Sequence, residues 1–220
     1  MWQPVAMRLL ALLLAVCAPV AFAWPVDWTH EVEVGREKFV KLPQVDWLEV
    51  EDASVVDVVW QRDSEELVLV GLKKGRTTVM LGAEGKVAAW RGRVGEPPLR
   101  DEAALKAAQK ACPDLRQTPL DEVKLAVTAH DEACRLALLR LFQTDVVEAR
   151  ALELTFDAAV LQAQLKSLQE GLRPLGKDRV RARYVGAGLV LTGRVTPEEH
   201  RRVLWEVLRR SLGRFALDDQ

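Results

Sequence analysis

Cys112, His130 and Cys134 are the residues whose types and spacing could do chemistry in this sequence. A disulfide between the two cysteines would close a loop of about 22 residues and stabilise the fold by roughly 3 kcal/mol. His130 precedes Cys134 by four residues, so a helix would place both on one face, with Cys112 as a third zinc ligand. A structural zinc site needs a fourth ligand, and the sequence offers no convincing one. We therefore predict a disulfide between Cys112 and Cys134, with a metal site as the alternative interpretation, and no bound cofactor.

The sequence carries no recognisable catalytic set. Its 3 histidines, His30, His130 and His200, lie far apart along the chain. Neither a G-x-S-x-G nor an H-E-x-x-H pattern nor a phosphate-binding glycine loop is present. Glu198 and Glu199 directly precede His200, but acidic residues are common in the first turn of a helix, where they interact favourably with its dipole. We therefore expect a non-enzymatic protein without catalytic residues.

The N-terminal residues have the pattern of a secretory signal peptide. Arg8 precedes an apolar run over residues 9–20, and Ala21-Phe22-Ala23 forms a small-residue cleavage sequence. The run is shorter than the roughly 20 apolar residues that span a bilayer, which argues against a membrane anchor. Lipidation at Cys17 is a further alternative, although the residue before it is not small. We expect cleavage before Trp24 and a periplasmic protein, free or associated with the outer membrane, in a compartment where disulfides persist.

Charge and arginine placement bear on the class of partner. Lys and Arg number 31 against 32 Asp and Glu, so the formal net charge is -1 at pH 7. Nucleic acids and anionic membranes favour proteins with a clear basic excess, so we expect neither as the main partner. A local basic face competes with a solvated surface of mixed charge in the last third of the chain. The candidate basic surface comprises Arg179, Arg181, Arg183, Arg201 and Arg202.

Residues 29–94 are predicted to form strands. Val and Thr are abundant there, and apolar and polar residues alternate with a period of two, as in half-buried strands. Lys73-Lys74-Gly75 interrupts the apolar stretch 66–81, and its glycine could supply the positive φ of a tight turn, so we predict a hairpin there. Residues 86–94 supply a further strand, and Glu96-Pro97-Pro98 follows as a linker.

The periodicity of residues 101–143 predicts helices. An Ala-rich helix over 101–112 ends at Pro113. Thr118-Pro119 then combines an N-cap residue with a proline at the first helical position, which predicts a second helix start. Apolar residues recur beyond it at spacings of three to four. We therefore predict a helical hairpin held together by the two cysteines.

The last region of the chain has the pattern of a small α/β module. A strand at 152–156 precedes a helix whose leucines share one face. Two strands around Gly186-Ala187-Gly188 then form a hairpin. Thr196-Pro197-Glu198-Glu199 is a capping box that opens a last helix, and residues 214–217 supply a final strand. The predicted order after the first strand is α-β-β-α-β.

These patterns predict an α+β protein in which a small all-β domain, a central helical hairpin and a C-terminal αββαβ module follow one another. The predicted segments are a signal peptide at 1–23, a β-rich domain at 24–98, a helical segment with the candidate disulfide at 99–148, and the α/β module at 149–220.

Two parts of the sequence resemble modules of one family. Residues 32–35, 50–58 and 67–79 contain, in order, V-E-V-G, V-E-D-A-S-V-V-D-V and L-V-L-V-G-L-K-K-G-R-T-T-V. This succession resembles the N-terminal region of pilus-assembly secretins of the Tad, type II and type III kind, where a strand and glycine precede two short strands around an acidic turn and a glycine-containing hairpin. Residues 172–215, with G-L-V-L-T-G-R-V before a helix, look like the BON or ring-building modules of the same secretins.

The resemblance implies a function in assembly. The sequence contains no counterpart of the long β-rich pore domain of secretins, so we expect an accessory periplasmic component of a pilus or secretion system that binds the secretin or neighbouring envelope proteins. The alternative is a BON-type protein that binds envelope phospholipid or peptidoglycan. We expect the purified protein to be a monomer or weak dimer that is recruited where many binding sites lie close together.

Overall fold

The computed structural model describes residues 26–83, 86–119, 123–146, 152–175, 179–185, 188–212 and 216–219. The predicted signal peptide at 1–23, its alternative lipidation site Cys17 and the turn residues Gly186 and Ala187 lie outside these ranges. Among the helices that are described, none has the length and apolar character needed to cross a bilayer. The mixed α+β class predicted from the sequence is confirmed: strands dominate the first region, helices appear in the middle, and a strand and helix module follows.

The N-terminal domain consists of seven strands in two sheets. Sheet A has the order β1-β7-β6-β3 and sheet B the order β2-β5-β4. In sheet A, β1 runs parallel to β7 and the other pairings are antiparallel, as are all those in sheet B. The strands are β1 (Trp28–Val32), β2 (Glu37–Lys41), β3 (Trp47–Val50), β4 (Val56–Gln61), β5 (Glu66–Gly71), β6 (Gly75–Ala83) and β7 (Lys86–Val94).

The two sheets enclose one apolar core. Val56 and Leu69 of sheet B and Val79 and Trp90 of sheet A contribute to it, because the side chains of each strand alternate between the two faces of its sheet. The predicted hairpin between β5 and β6 is wrong. The chain crosses at residues 72–74 from sheet B to sheet A, so β5 pairs with β2 and β4 while β6 pairs with β3 and β7.

The central region is an α/β module rather than a helical hairpin. It contains α1 (Glu102–Ala111), β8 (Arg116–Pro119), β9 (Val123–Ala129), α2 (Glu132–Leu141) and β10 (Leu152–Phe156). The predicted first helix is present; it ends at Ala111, and Cys112 is its C-cap residue before Pro113. The helix start predicted at Thr118-Pro119 is wrong, because these residues end β8 and pair with β9.

β10 completes the central sheet. It runs parallel to β9, whereas β8 runs antiparallel to β9 on the other side, which gives sheet C the order β10-β9-β8. Our division of the sequence at residue 148 grouped this strand with the C-terminal module, and its pairing with β9 corrects that grouping. The central module therefore has the order α-β-β-α-β.

The C-terminal module has the predicted α-β-β-α-β order, and the central module shares this topology. It contains α3 (Ala158–Leu172), a 3₁₀ turn (Arg173–Leu175), β11 (Val180–Val185), β12 (Gly188–Gly193), α4 (Pro197–Arg210) and β13 (Ala216–Asp219). In sheet D, β11 lies antiparallel and β13 parallel to the middle strand β12. The predicted capping box opens α4: the Glu199 N–H donates to the Thr196 hydroxyl at 3.2 Å, and the Thr196 N–H donates to the Glu199 carboxylate at 2.9 Å.

Candidate functional site

The disulfide lies inside the central module. Cys112 follows the last residue of α1, and Cys134 is the third residue of α2. The structure joins the two sulfur atoms, and both residues are buried in the core of the module. Among the described residues no group of three or more His, Cys, Asp and Glu could hold a metal ion. The cysteine pair therefore links α1 to the start of α2.

His130 takes part in an ion-pair cluster instead of the metal site considered above. Its Nδ1 lies 3.0 Å from Asp157 Oδ2, and its Nε2 lies 3.5 Å from Asp114 Oδ2. The hydrogen bond with Asp157 raises the pKa of His130, and the negative charges of both aspartates add to it. Asp114 belongs to the central module, and Asp157 is the residue between β10 and α3. His130 therefore bridges Asp114 of the central module and Asp157, the residue that joins the two α/β modules.

The two α/β modules are packed closely. Asp157 is the one residue between the end of β10 and the start of α3. Val160 of α3 and Leu212, which follows α4, belong to the apolar core of the central module. The buried side chain of Gln164 accepts a hydrogen bond of 2.7 Å from the Leu212 N–H. A linker this short and a shared core leave little freedom between the modules.

A buried ionic contact attaches the N-terminal domain to the central module. Arg91 and Arg93 lie two residues apart on β7 and therefore project from one face of sheet A. Arg93 Nη1 lies 2.8 Å from Asp145 Oδ2, and Arg91 bonds the other oxygen of that carboxylate. The side chains of Arg93 and Asp145 are 5% and 6% exposed. We call Arg91, Arg93 and Asp145 the arginine junction.

Backbone groups complete the arginine junction. Arg91 donates to the Thr144 carbonyl at 3.0 Å and to the Phe142 carbonyl at 3.3 Å, both just beyond the C-terminal end of α2. The Leu99 N–H donates to Asp145 Oδ2 at 2.6 Å. Desolvation alone would raise the pKa of Asp145, but the Leu99 hydrogen bond and the Arg91 charge outweigh it, so the pKa lies below its ordinary value.

Sheet A also packs against the C-terminal module. Met80 and Ala89 lie on the face opposite the sandwich core and belong to the apolar core that contains residues of α3 and α4. Arg201 of α4 forms an ion pair with Glu49 of β3 at the border of this contact. Both faces of sheet A are therefore covered, and the three parts of the chain form one connected body.

The candidate basic surface is not a continuous patch of unpaired charge. Arg179 forms a two-pronged ion pair with Glu199 at 2.9 Å, and Arg202 pairs with Glu198 at 2.6 Å. Arg201 pairs with Glu49, as described above. Arg181 and Arg183 are exposed and alternate along β11, an edge strand of sheet D. The sequence analysis predicted a basic surface of five arginines. In the structure two of them, Arg181 and Arg183, lie side by side on one exposed face of β11.

The outer face of sheet B carries exposed apolar side chains. Phe39 of β2 and Val59 of β4 both lie directly opposite Val68 of β5, so the three form one row across the sheet. Phe39 is 53% exposed and Val59 50%. Val68 between them is 5% exposed, so the open apolar surface consists of Phe39 and Val59. Exposed apolar side chains of this size mark a surface that another molecule could cover. The sequence analysis predicted strands here but not this row, because the row depends on which strands pair.

Comparison with other proteins finds similarity in structure but none in sequence. No protein-family model matches this chain, and a comparison with curated proteins finds no match. The chain is similar to the C-terminal domain of CdsD, the structural protein of the type III secretion system of Chlamydia trachomatis. The two are 16% identical, the similarity covers 57% of this chain and 70% of that chain, and the TM-score is 0.23.

Proposed function

We propose that this chain is an exported, non-enzymatic assembly component of a pilus or secretion system, and that it binds a secretin or a neighbouring envelope protein from the periplasmic side. The observation that carries the proposal is the succession of two αββαβ modules joined through the single residue Asp157. The sequence of the second module resembles ring-building modules of secretins, and the first module shares its topology.

The buried charges support a structural interpretation. Arg91, Arg93 and Asp145 are charged side chains that the fold removes from water at the domain contact; Asp145 pairs with both arginines, and Glu31 pairs with Arg93 as well. A catalytic or ligand-binding group needs access to a substrate, whereas these groups hold domains together. The described part of the chain also presents the outer face of sheet B and the edge strands β2 and β11 to solvent, which are surfaces suited to other polypeptides.

Capture from the native envelope tests the proposal. The full chain, tagged at its C-terminus and expressed in its own cells, is cross-linked in place and purified, and the captured proteins are identified by mass spectrometry. We expect enrichment of a secretin or another pilus or secretion component over a tagged periplasmic protein of unrelated fold. Asp145→Ala, which breaks the arginine junction, should reduce that enrichment, whereas Asp63→Ala in an exposed turn should not. Failure to enrich any such component would contradict the proposal.

A groove beside Arg181 favours binding of envelope lipid as the second candidate function. Lys166 and Glu170 of α3, Arg173 of the 3₁₀ turn and Arg181 of β11 line a space of about 430 Å³. Three cations against one carboxylate would attract an anionic headgroup. Pelleting of the protein with anionic vesicles should then be salt-sensitive and weakened by Arg181→Ser but not by Arg202→Ser, because Arg202 is already paired. Equal pelleting with neutral vesicles would exclude this alternative.

A further inference from the structure

We propose that two copies of this chain associate by antiparallel pairing of their β2 strands. Strand β2 is at the edge of sheet B, with β5 on one side. Among the described residues no strand pairs with its other side. An unpaired edge offers backbone N–H and C=O groups to a second strand. The inference does not depend on the proposed function. It identifies β2 of a second copy as the strand that pairs with this edge.

The hydrogen bonds to β5 determine which backbone groups face outward. The Gly71 N–H donates to the Arg36 carbonyl at 3.0 Å, and the Leu42 N–H donates to the Glu65 carbonyl at 2.8 Å. Backbone groups of an antiparallel strand point alternately to its two neighbours. Residues with even numbers therefore bond to β5, and Glu37, Phe39 and Lys41 direct their N–H and C=O groups to the open edge.

The same three residues are self-complementary. If two β2 strands pair antiparallel with Phe39 opposite Phe39, then Glu37 of each copy lies opposite Lys41 of the other. Their side chains all lie on the exposed face of sheet B. Directly opposed unlike charges and aromatic pairs both stabilise antiparallel strands. The arrangement is symmetric about a two-fold axis, as the interface of a homodimer requires.

Two alternative registers lack the unlike charge pairs. On the other face of this pairing Lys38 of one copy lies opposite Val40 of its partner, so no like charges meet. A slip of two residues toward the start of the strand would place Lys38 opposite Lys38 and Glu37 opposite Phe39. Like charges in directly opposed positions destabilise a strand pair. A slip of two residues toward the end of the strand would place Val40 opposite Val40 and Phe39 opposite Lys41, which brings no like charges together but loses both Glu37–Lys41 pairs. The register centred on Phe39 is therefore the one of the three that pairs unlike charges.

The pairing would also extend the apolar row on the outer face of sheet B, in which Phe39 and Val59 are exposed and Val68 is buried. Phe39, Val68 and Val59 already align across sheet B. In the dimer the two sheets join into one of six strands, and the two Phe39 side chains meet at its centre. Each Phe39, which is 53% exposed in the single chain, gains an apolar neighbour. The contact is small, so the association is expected to be weak and to strengthen where many copies are gathered.

Charge exchange between two variants tests the pairing. Sedimentation velocity of the full-length exported protein over a wide concentration range measures the dimer dissociation constant. Glu37→Lys and Lys41→Glu each place like charges opposite one another twice per dimer, so each should weaken self-association by about tenfold or more. An equimolar mixture of the two variants restores both unlike pairs and should dimerise as well as the wild type. Lys106→Glu, an exposed change of the same charge on α1, serves as the control and should have no effect.

Three outcomes would overturn the proposal. The wild-type protein could remain monomeric at millimolar concentration, which would show that the edge does not pair. Either variant could dimerise like the wild type, or the mixture could fail to recover, and both results would place the interface elsewhere. Circular dichroism and thermal unfolding of each variant check that it is folded, and Glu37→Lys remains informative if Lys41→Glu is destabilised by loss of the Lys41 contact with Glu66.

Discussion

Asp145 accepts a hydrogen bond of 2.8 Å from Arg93, although the two residues lie 52 positions apart in different domains. Arg93 lies on the face of sheet A opposite the sandwich core, and Asp145 follows the C-terminal end of α2. The carboxylate also binds Arg91, so one buried anion neutralises part of two buried cations. Asp145 is therefore the acidic side chain that pairs with both arginines of the arginine junction, while Arg91 also donates to the Thr144 and Phe142 carbonyls.

Removal of that side chain should be costly. Asp145→Ala leaves the buried Arg91 without its carboxylate and Arg93 with only the exposed Glu31 as an acidic partner, and we expect a loss of about 3–5 kcal/mol in the free energy of unfolding. Chemical denaturation followed by circular dichroism measures it. Asp63→Ala, in the exposed turn between β4 and β5, is the matched control and should change the free energy by less than about 0.5 kcal/mol. Similar values for the two variants would show that the junction does not stabilise the fold.

The ion pairs of Asp145 should also contribute to the dependence of stability on pH. The fold lowers the pKa of Asp145, so its contribution is fully present above the unfolded value of about 4 and is lost as the pH falls through the lower folded value. Unfolding of the wild type between pH 5 and pH 2 should therefore be steeper than that of Asp145→Asn, which cannot ionise. Parallel curves for the two proteins would contradict the assignment.

The arginine junction illustrates what the sequence could not predict. Arg91 and Arg93 interrupt an otherwise apolar strand at alternate positions, which is a signal that one face of β7 meets an anion. The identity of that anion depends on how the central module docks, and no local pattern indicates it. The same docking explains why β6 and β7 are buried on both faces, whereas alternation predicted half-buried strands.

The C-terminal module was predictable because its signals are local. The capping box at Thr196 and Glu199 is formed as predicted, and the order of elements follows from it. In the central module, Leu125, Val127 and Ala129 alternate into the core as in a strand, but the preceding Thr118-Pro119 is also typical of a helix start. Pairing between strands decides between such competing local signals. Here β9 pairs with β8 on one side and with β10 on the other, and this pairing is not visible in one sequence.

Substitution of Met80 should lower the free energy of unfolding as much as substitution of a core residue, although Met80 lies on the outer face of the sandwich. It is 0% exposed because α3 and α4 cover it. Met80→Ala should lower the free energy of unfolding by about 2–5 kcal/mol. Phe39→Ala, on the open face of sheet B, is the control and should cost much less, since its side chain is largely in water. Equal effects would show that the C-terminal module does not pack on sheet A.

His130 and His30 should titrate on opposite sides of the ordinary histidine pKa. The hydrogen bond with Asp157 raises the pKa of His130, so its stabilising contact is fully present below about pH 6.5 and is lost as the pH rises through the folded value. Burial, and then the charge of Lys38, lower the pKa of His30 to about 4. Its neutral form is favoured by the fold, and that contribution is lost as the pH falls through the same value.

Nuclear magnetic resonance separates the two groups. The imidazole Cε1–H signals, assigned with His130→Asn and His30→Gln, are followed from pH 3.5 to pH 9. We expect the signal of His130 to move at a higher pH than that of an unfolded histidine and the signal of His30 to move near pH 4. If both titrate together near pH 6.5, neither the Asp157 contact nor the burial of His30 exists in solution.

The disulfide should account for a large part of the stability of the central module. Cys112 and Cys134 connect α1 to α2 across a loop of 22 residues, which corresponds to roughly 3 kcal/mol in the unfolded-chain model. The double variant Cys112→Ala/Cys134→Ala should lose about that much, and reduced wild-type protein should unfold at the same denaturant concentration as this variant.

A free-thiol assay on denatured, unreduced protein tests the disulfide directly. We expect no free thiol in protein purified after export, because Cys17 belongs to the predicted signal peptide, and one free thiol in the uncleaved precursor. Two titratable thiols in the exported protein, or stoichiometric zinc, would show that the cysteines are reduced or metal-bound instead.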